Sequence, residues 1–410
     1  MSVYTRKPFL RQALAGITRM KTSTRHTFAA ALFAVFSLSL GVCGFTQDKK
    51  DGVVDLFVRF SATDGTPLEG KLSLPAGAKG QVPVVFYLHG AGPRTVDNPI
   101  QYRDASGQLR ACRYLDFHSR ELARRGVAFF RIGKRGCTSD SSGRPTIDRS
   151  VFSKATPNVL LDDYAKALDV LRQRTETDAN RILLLGSSEG TRLAPRLTTR
   201  SPKGIIGLVL MGYASVNSRE IVVWQNTVGP WRNVQKLIPA AAGGKLTRAE
   251  YDAAVKKNPM LVRIVRFDSL DTDGDGIVTR EELARANRRR LDAILKAVGE
   301  RNDDFLWQYL LNLSSAYLLE DWNGDPTYVT LLKLDIPIAI FHGELDGTCS
   351  IEGVREAAKA FRAAGKTNLV VRAYPDADHD LNWTIEAASR GAPAPFQEAF
   401  DFVARLVGSR

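Results

Sequence analysis

Leu183-Leu184-Leu185-Gly186-Ser187-Ser188-Glu189-Gly190 is an apolar run that ends in G-x-S-x-G, with helical spacing directly after it. That order turns a strand sharply into a helix. The serine takes a strained backbone conformation at the sheet's carboxyl edge, and the two glycines let neighbouring chain pass close by. Helix N-terminal N–H groups then lie beneath its hydroxyl. A serine hydroxyl is a weak nucleophile until a base takes its proton, and a histidine base needs a carboxylate to set its tautomer. For a strand-to-helix nucleophile, the acid and then the histidine follow later in the chain. Asp346, in F-H-G-E-L-D-G-T, and His379, in Y-P-D-A-D-H-D-L-N, meet that order. Asp376, Asp378 and Asp380 are rival acids so near His379 that they are expected to shape its loop, and His342 is expected to pack under the acid. A tetrahedral intermediate also needs preorganised N–H donors. Glu189, next to the nucleophile, is expected to supply one. His89-Gly90-Ala91-Gly92-Pro93 is expected to supply the other, with Ala91 the first choice and Gly90 the second.

A second constellation lies at 271–282, D-T-D-G-D-G-I-V-T-R-E-E. It matches a twelve-residue EF-hand calcium loop at each demanding position. Asp271, Asp273 and Asp275 offer side-chain oxygens, and Gly276 permits the sharp turn. Ile277 offers its carbonyl, Thr279 acts directly or through water, and Glu282 can bind in bidentate fashion. Calcium is the one cofactor expected; the serine chemistry needs none. Predicted helices at 261–270 and 280–298 flank the loop. A lone loop of this kind in an exported chain reads as structural, since extracellular sites can be as weak as about 10⁻⁴–10⁻³ M.

These residues need a scaffold, and the hydrophobic pattern supplies one. Strands are predicted at 53–60, 70–74, 82–88, 127–132, 181–185 and 205–211, with helices at 114–125, 160–174 and 190–199. The continuous apolar run 82–88 is expected of a strand covered on both faces. Alternation of strands and helices implies parallel βαβ units, so the expected class is α/β. The alternation breaks at 215–333, a helical and charged stretch with no convincing strand, which contains Trp224, Trp231, Trp307 and Trp322. It returns with strands at 336–341 and 369–373 and helices near 354–363 and 396–407. The expected organisation is a core of 45–214 and 334–410 around a helical insertion at 215–333 that carries the EF-hand.

Bulk composition narrows the classes further. The chain has 410 residues, 44% hydrophobic and 25% charged, which argues against disorder, collagen and a multi-span membrane protein. Residues 1–44 carry Arg6, Lys7, Arg11, Arg19, Lys21 and Arg25 and no acid, then an apolar core at 28–40 and small residues. That is the pattern of a secretory signal peptide, so export is expected, with an uncleaved membrane anchor as the alternative. Without those charges the formal +13 falls to +7, and no arginine-rich run interleaved with aromatics suggests nucleic acid as a partner. Four cysteines are too few for a disulfide scaffold, although Cys112 and Cys137 are a candidate bridge.

The motifs resemble those of the α/β-hydrolase superfamily, and within it carboxylesterases similar to dienelactone hydrolases and to prolyl-oligopeptidase catalytic domains. In those relatives the oxyanion loop reads H-G-S-G-P, the next strand leads into D-K-R-G, and the elbow reads G-H-S-E-G-G. Here they stand as His89–Pro93 (H-G-A-G-P), Gly133–Gly136 (G-K-R-G) and Gly186–Thr191 (G-S-S-E-G-T). Ser187, Thr191 and Gly133 depart from that pattern without removing a catalytic atom. The resemblance covers about 53–211 and 336–408, and it implies that the insertion follows the strand after which this superfamily commonly carries a lid. It also implies a serine esterase acting on a small-molecule carboxylic ester. A serine exopeptidase or acyltransferase, or a non-catalytic calcium-dependent binding protein on the same scaffold, are the alternatives.

Overall fold

The computed structural model describes residues 49–50, 52–103, 109–140, 143–384 and 391–408. The signal-peptide reading of 1–44 falls outside them. In chain order the strands are β1 (Lys49–Lys50), β2 (Val53–Ser61), β3 (Pro67–Pro75), β4 (Val82–Leu88), β5 (Pro99–Arg103), β6 (Leu109–Arg113), β7 (Ala128–Ile132) and β8 (Cys137–Ser139). They continue as β9 (Pro145–Ile147), β10 (Thr177–Ser187), β11 (Ile205–Met211), β12 (Lys245–Thr247), β13 (Ile277–Thr279), β14 (Ile338–Gly343) and β15 (Leu369–Tyr374). Nine of them form one sheet in the order β1-β2-β3-β7-β4-β10-β11-β14-β15. From β7 to β15 every neighbouring pair is parallel, while β1, β2 and β3 pair antiparallel at one edge.

Sequence pattern explains the difference between the two regions. In β2, Val54, Leu56 and Val58 are buried and alternate with Asp55, Phe57 and Arg59, so one face meets the core. β4, β7, β11 and β14 are apolar almost throughout and buried on both sides. Successive residues of β4 accordingly enter different cores. Val84, Phe86 and Leu88 join one cluster with Leu160, Leu161 and Tyr164 of the helix Pro157–Arg172. Val85 and Tyr87 join another with Phe396, Phe400 and Val403 of the helix Ala394–Gly408. The result is three layers, helices on both faces of a parallel sheet.

Between β11 and β14 the chain is mainly helical and builds two apolar clusters of its own, one around Trp231 and one around Ile294. Trp231 fills the first, Trp322 packs against the second, and Trp307 packs against the sheet cluster that includes Phe152. Three expectations need correction. The stretch 215–333 does contain strands, because β12 and β13 pair antiparallel, with Leu246 opposite Val278. Three residues each are too short to register in a periodicity reading. The predicted helix at 261–270 is two short ones, Leu261–Ile264 and Phe267–Leu270, broken where Val265 turns extended and its carbonyl accepts from Tyr251 Oη at 2.8 Å. Finally, Cys112 and Cys137 are both free thiols. They pack into the two different clusters, on opposite faces of the sheet, and cannot meet.

One buried ion pair braces the turn after β7. Arg135 donates to both carboxylate oxygens of Asp163 at 2.9 and 2.7 Å and to Asp64 at 2.7 Å. Its side chain is 5% exposed and that of Asp163 is 2% exposed. Removing one partner of such a pair strands the other charge, at about 3–5 kcal/mol. Arg135→Ala is therefore expected to lower the unfolding free energy by about that much in denaturant melts; a loss below about 1 kcal/mol would contradict the assignment.

Candidate active site

β10 ends at Ser187, and the helix Gly190–Arg200 begins three residues later. Between them Ser188 sits in the left-handed region, with φ 53°. Such a conformation costs a non-glycine residue of order 1–3 kcal/mol, so neighbouring chain must hold it. Ser188 donates its backbone N–H to the Met211 carbonyl at 2.9 Å, which locks it to the end of β11. Thr191 donates its hydroxyl to the Ser188 carbonyl at 2.6 Å and accepts the Ala214 N–H at 2.9 Å. The threonine that departs from the resembled motif is thus a brace for the elbow. No side chain fits at either glycine of the turn. A Cβ on Gly186 would lie 2.4 Å from the Gly190 carbonyl oxygen, and one on Gly190 would lie 2.1 Å from that of Leu88.

Asp346 follows β14 and is buried. Its Oδ1 accepts the N–H groups of Thr348 at 2.7 Å and Cys349 at 2.8 Å, and its Oδ2 faces His379 Nδ1 at 2.7 Å. The Leu345 N–H donates to the Ala377 carbonyl and so ties the acid loop to the histidine loop after β15. Gly343 permits that approach, since a Cβ there would lie 2.2 Å from the Ala377 oxygen. Gly212 backs His379 from the end of β11, where a Cβ would come within 3.0 Å of the ring Cε1. Met211 and Gly212 are consecutive, so Ser188 and His379 pack on adjoining residues of one strand end. His342 lies behind the acid. Its Nδ1 accepts the Tyr213 N–H at 3.0 Å, which leaves the proton on Nε2, 3.2 Å from the Cys349 carbonyl and 3.6 Å from Asp346.

Charge follows from these contacts. Burial alone would raise the Asp346 carboxyl, but the two imidazoles and the backbone N–H groups hold it below its ordinary value. Burial alone would lower His379; Asp346 outweighs it, Asp380 and Asp378 add to the effect, and the imidazole is pushed up to about 9. Burial dominates at His342 and keeps it neutral. Asp378 instead caps its own loop, accepting the N–H groups of Asp380 and Asn382.

The loop after β4 approaches Ser188 directly. A Cβ on Gly90 would lie 3.2 Å from Ser188 Cβ. The loop is anchored by His89, which donates its backbone N–H to Tyr164 Oη at 3.1 Å and meets the Ile132 carbonyl at 2.8 Å through Nε2. Glu189 places its carboxylate against Lys134 and Tyr317. Residue type alone gives neither a role: Lys134 stands inside G-K-R-G, and nothing in the pattern around Tyr317 marks it.

The loop at 271–282 is a separate site with a hard-oxygen donor set. Side-chain oxygens of Asp271, Asp273 and Asp275 lie within 4.8 Å of one another. Asp271 Oδ1 is buried without a hydrogen-bond partner among the described residues, which suits a cation ligand. Gly274 and Gly276 take positive φ, as the tight turn requires. Glu282 stands outside that group; its oxygens accept from the backbone and hydroxyls of Thr272 and Thr279.

A sharp strand-to-helix turn at Ser188 between parallel strands, with Asp346 and His379 after later strands of one mostly parallel sheet, defines the architecture. This is an α/β-hydrolase fold. No family model matches the chain, and no curated protein does. Among solved structures, a candidate dipeptidyl aminopeptidase IV from Bacteroides ovatus is similar over 88% of this chain at TM-score 0.44 and 16% identity. This chain spans 36% of that protein's length. Among the described residues, no helix is long and apolar enough to cross a membrane.

The raised imidazole gives a direct check. Below pH 6.5, its unfolded value, the protonated pair stabilises the fold fully, and this is lost as pH rises through about 9. NMR titration of the His379 ring is expected to give a midpoint near 9, and Asp346→Asn to bring it down sharply because only the weaker pull of Asp380 and Asp378 then opposes burial. A midpoint near 6.5 in both proteins would refute the coupling.

Proposed function

We propose that the protein is a serine hydrolase that cleaves carboxylic esters through an acyl-enzyme. The observation that carries this reading is the 2.7 Å Asp346–His379 bond set beside Ser188 in its strained turn. In this mechanism His379 Nε2 takes the proton as Ser188 Oγ attacks the acyl carbon. Asp346, bonded to Nδ1, holds the tautomer and stabilises the imidazolium that forms. The N–H groups of Glu189 and Ala91, with Gly90 the second choice for the loop, receive the oxyanion. His379 then protonates the leaving alcohol, and water repeats the sequence to release the acid. A peptide bond or an acceptor other than water would use the same atoms, so substrate tests decide among esterase, exopeptidase and acyltransferase.

The same proposal assigns calcium to Asp271, Asp273, Asp275, the Ile277 carbonyl, Thr279 and Glu282. Bound there, calcium would neutralise the clustered carboxylates and tie the loop to the helix Arg280–Gly299. That helix packs on Ser218–Asn226 and Ser315–Glu320, so an ordered loop would steady the segment between β11 and β14. Glu282 must exchange its threonine bonds to join the ion. Residues 1–44, read as an export signal, suggest a setting where calcium is abundant.

Two experiments test this. A fluorophosphonate is expected to label the wild type and not Ser188→Ala, and that variant is expected to lose roughly 10³–10⁶ in kcat on chromogenic esters of graded chain length. Since the base must be neutral, kcat/KM is expected to climb with pH through about 9. An adduct that survives Ser188→Ala would refute the nucleophile, and turnover of peptides alone would favour the peptidase. Separately, calcium is expected to raise Tm and chelator to lower it, with the shift abolished in Asp271→Asn. Equal melting and equal esterase activity in both conditions would sink the calcium assignment.

A further inference from the structure

We propose that Lys134 is the positioning residue of the oxyanion site, one ammonium that holds both chain segments supplying the N–H donors. The inference rests on the serine-hydrolase reading above. Lys134 leaves β7 in G-K-R-G, and its side chain is 1% exposed. Its Nζ donates to the Gly90 carbonyl at 2.8 Å and to Glu189 Oε2 at 2.5 Å. The Gly90–Ala91 peptide is planar and trans, so its N–H points opposite to its carbonyl. With the Gly90 carbonyl turned to Lys134, the Ala91 N–H is turned to the other side. The next carbonyl is held as well, because Arg94 Nε donates to the Ala91 oxygen at 3.1 Å and the Lys134 N–H donates to the Arg94 oxygen at 2.9 Å. Both peptides that flank the expected donor are therefore pinned, one directly by Lys134.

The second donor is reached through the Glu189 side chain. Its Oε2 takes Lys134 and its Oε1 takes Tyr317 Oη at 2.5 Å, which fixes the residue whose own N–H opens the helix Gly190–Arg200. Tyr317 belongs to the helix Ser315–Glu320, between β11 and β14, so that segment reaches the nucleophile's immediate neighbour. A buried ion pair is weak support for stability, because an apolar pair of similar volume holds a fold about as well. Such a pair would leave the Gly90 carbonyl free to rotate and would take the Ala91 N–H with it. Orientation of the donors is what the charges supply.

The test separates orientation from charge neutralisation. Lys134→Met with Glu189→Gln leaves no unpaired charge, so Tm is expected near the wild type. Its kcat is expected to fall roughly 10²–10³-fold with KM within about twofold, the loss seen when one oxyanion donor is removed. A double variant that melts like the wild type and turns over within about threefold of it would overturn the proposal. Should the double variant fail to fold, Tyr317→Phe decides. It removes one hydroxyl from Glu189 and is expected to lower kcat several-fold at constant KM; an unchanged kcat would overturn the proposal. A wild type that takes up no fluorophosphonate would instead sink the hydrolase reading itself, a separate outcome.

Discussion

The left-handed turn at Ser188 is the constraint on which the rest of the site depends. A serine leaves that conformation unless the surroundings remove every alternative. Here the parallel neighbours of β10 do so. β11 offers the Met211 carbonyl to the Ser188 N–H, and β4 runs so close that only glycine fits at 190. Thr191 closes the turn from within the helix. These contacts require the parallel sheet with covered faces, and that sheet requires the continuous apolar runs of β4, β7, β11 and β14.

Charges inside the molecule are held by the same logic. Asp346 is buried yet anionic, since two backbone N–H groups and two imidazoles face it. Lys134 and Glu189 are buried as a pair, with the Gly90 carbonyl and Tyr317 taking the remaining bonding capacity. Arg192 of the elbow helix also pairs with Asp321, and Arg149 with Asp304. The segment between β11 and β14 is therefore attached to the sheet side by polar contacts, some within a residue of Ser188, and by Trp307, Tyr317 and Tyr328 packed on the sheet cluster, while its own apolar clusters hold it together.

Much of this was legible in the chain. Strong periodicity located the parallel strands within a few residues, because strands buried on both faces leave unbroken apolar runs. β10 proved longer than its apolar part, since the mostly polar stretch 177–181 extends it, with Thr177 paired opposite Val82 of β4 and an irregular register before Ile182. The β5–β6, β8–β9 and β12–β13 ribbons went unread; each strand is three to five residues, too short for an alternating pattern to register. The helix before the acidic loop at 271–282 broke at Val265 for a tertiary reason, the hydroxyl of Tyr251.

Motif chemistry is local, and so the sequence by itself determined the α/β class, the identity of Ser188, Asp346 and His379 as a candidate set, and the acidic loop at 271–282. Residue type and spacing suffice where a turn or a loop carries the constraint. Tertiary structure alone decided which partners those residues meet. His379 and Asp346, and Lys134 and Glu189, come together only because separate strand ends converge at one edge of the sheet, and Tyr317 reaches Glu189 from a helix between β11 and β14. Cys112 and Cys137 stay apart because the same sheet lies between them. Pairing across 55 or 128 positions leaves no periodic trace in a single chain, since nothing local rewards it until the sheet has formed.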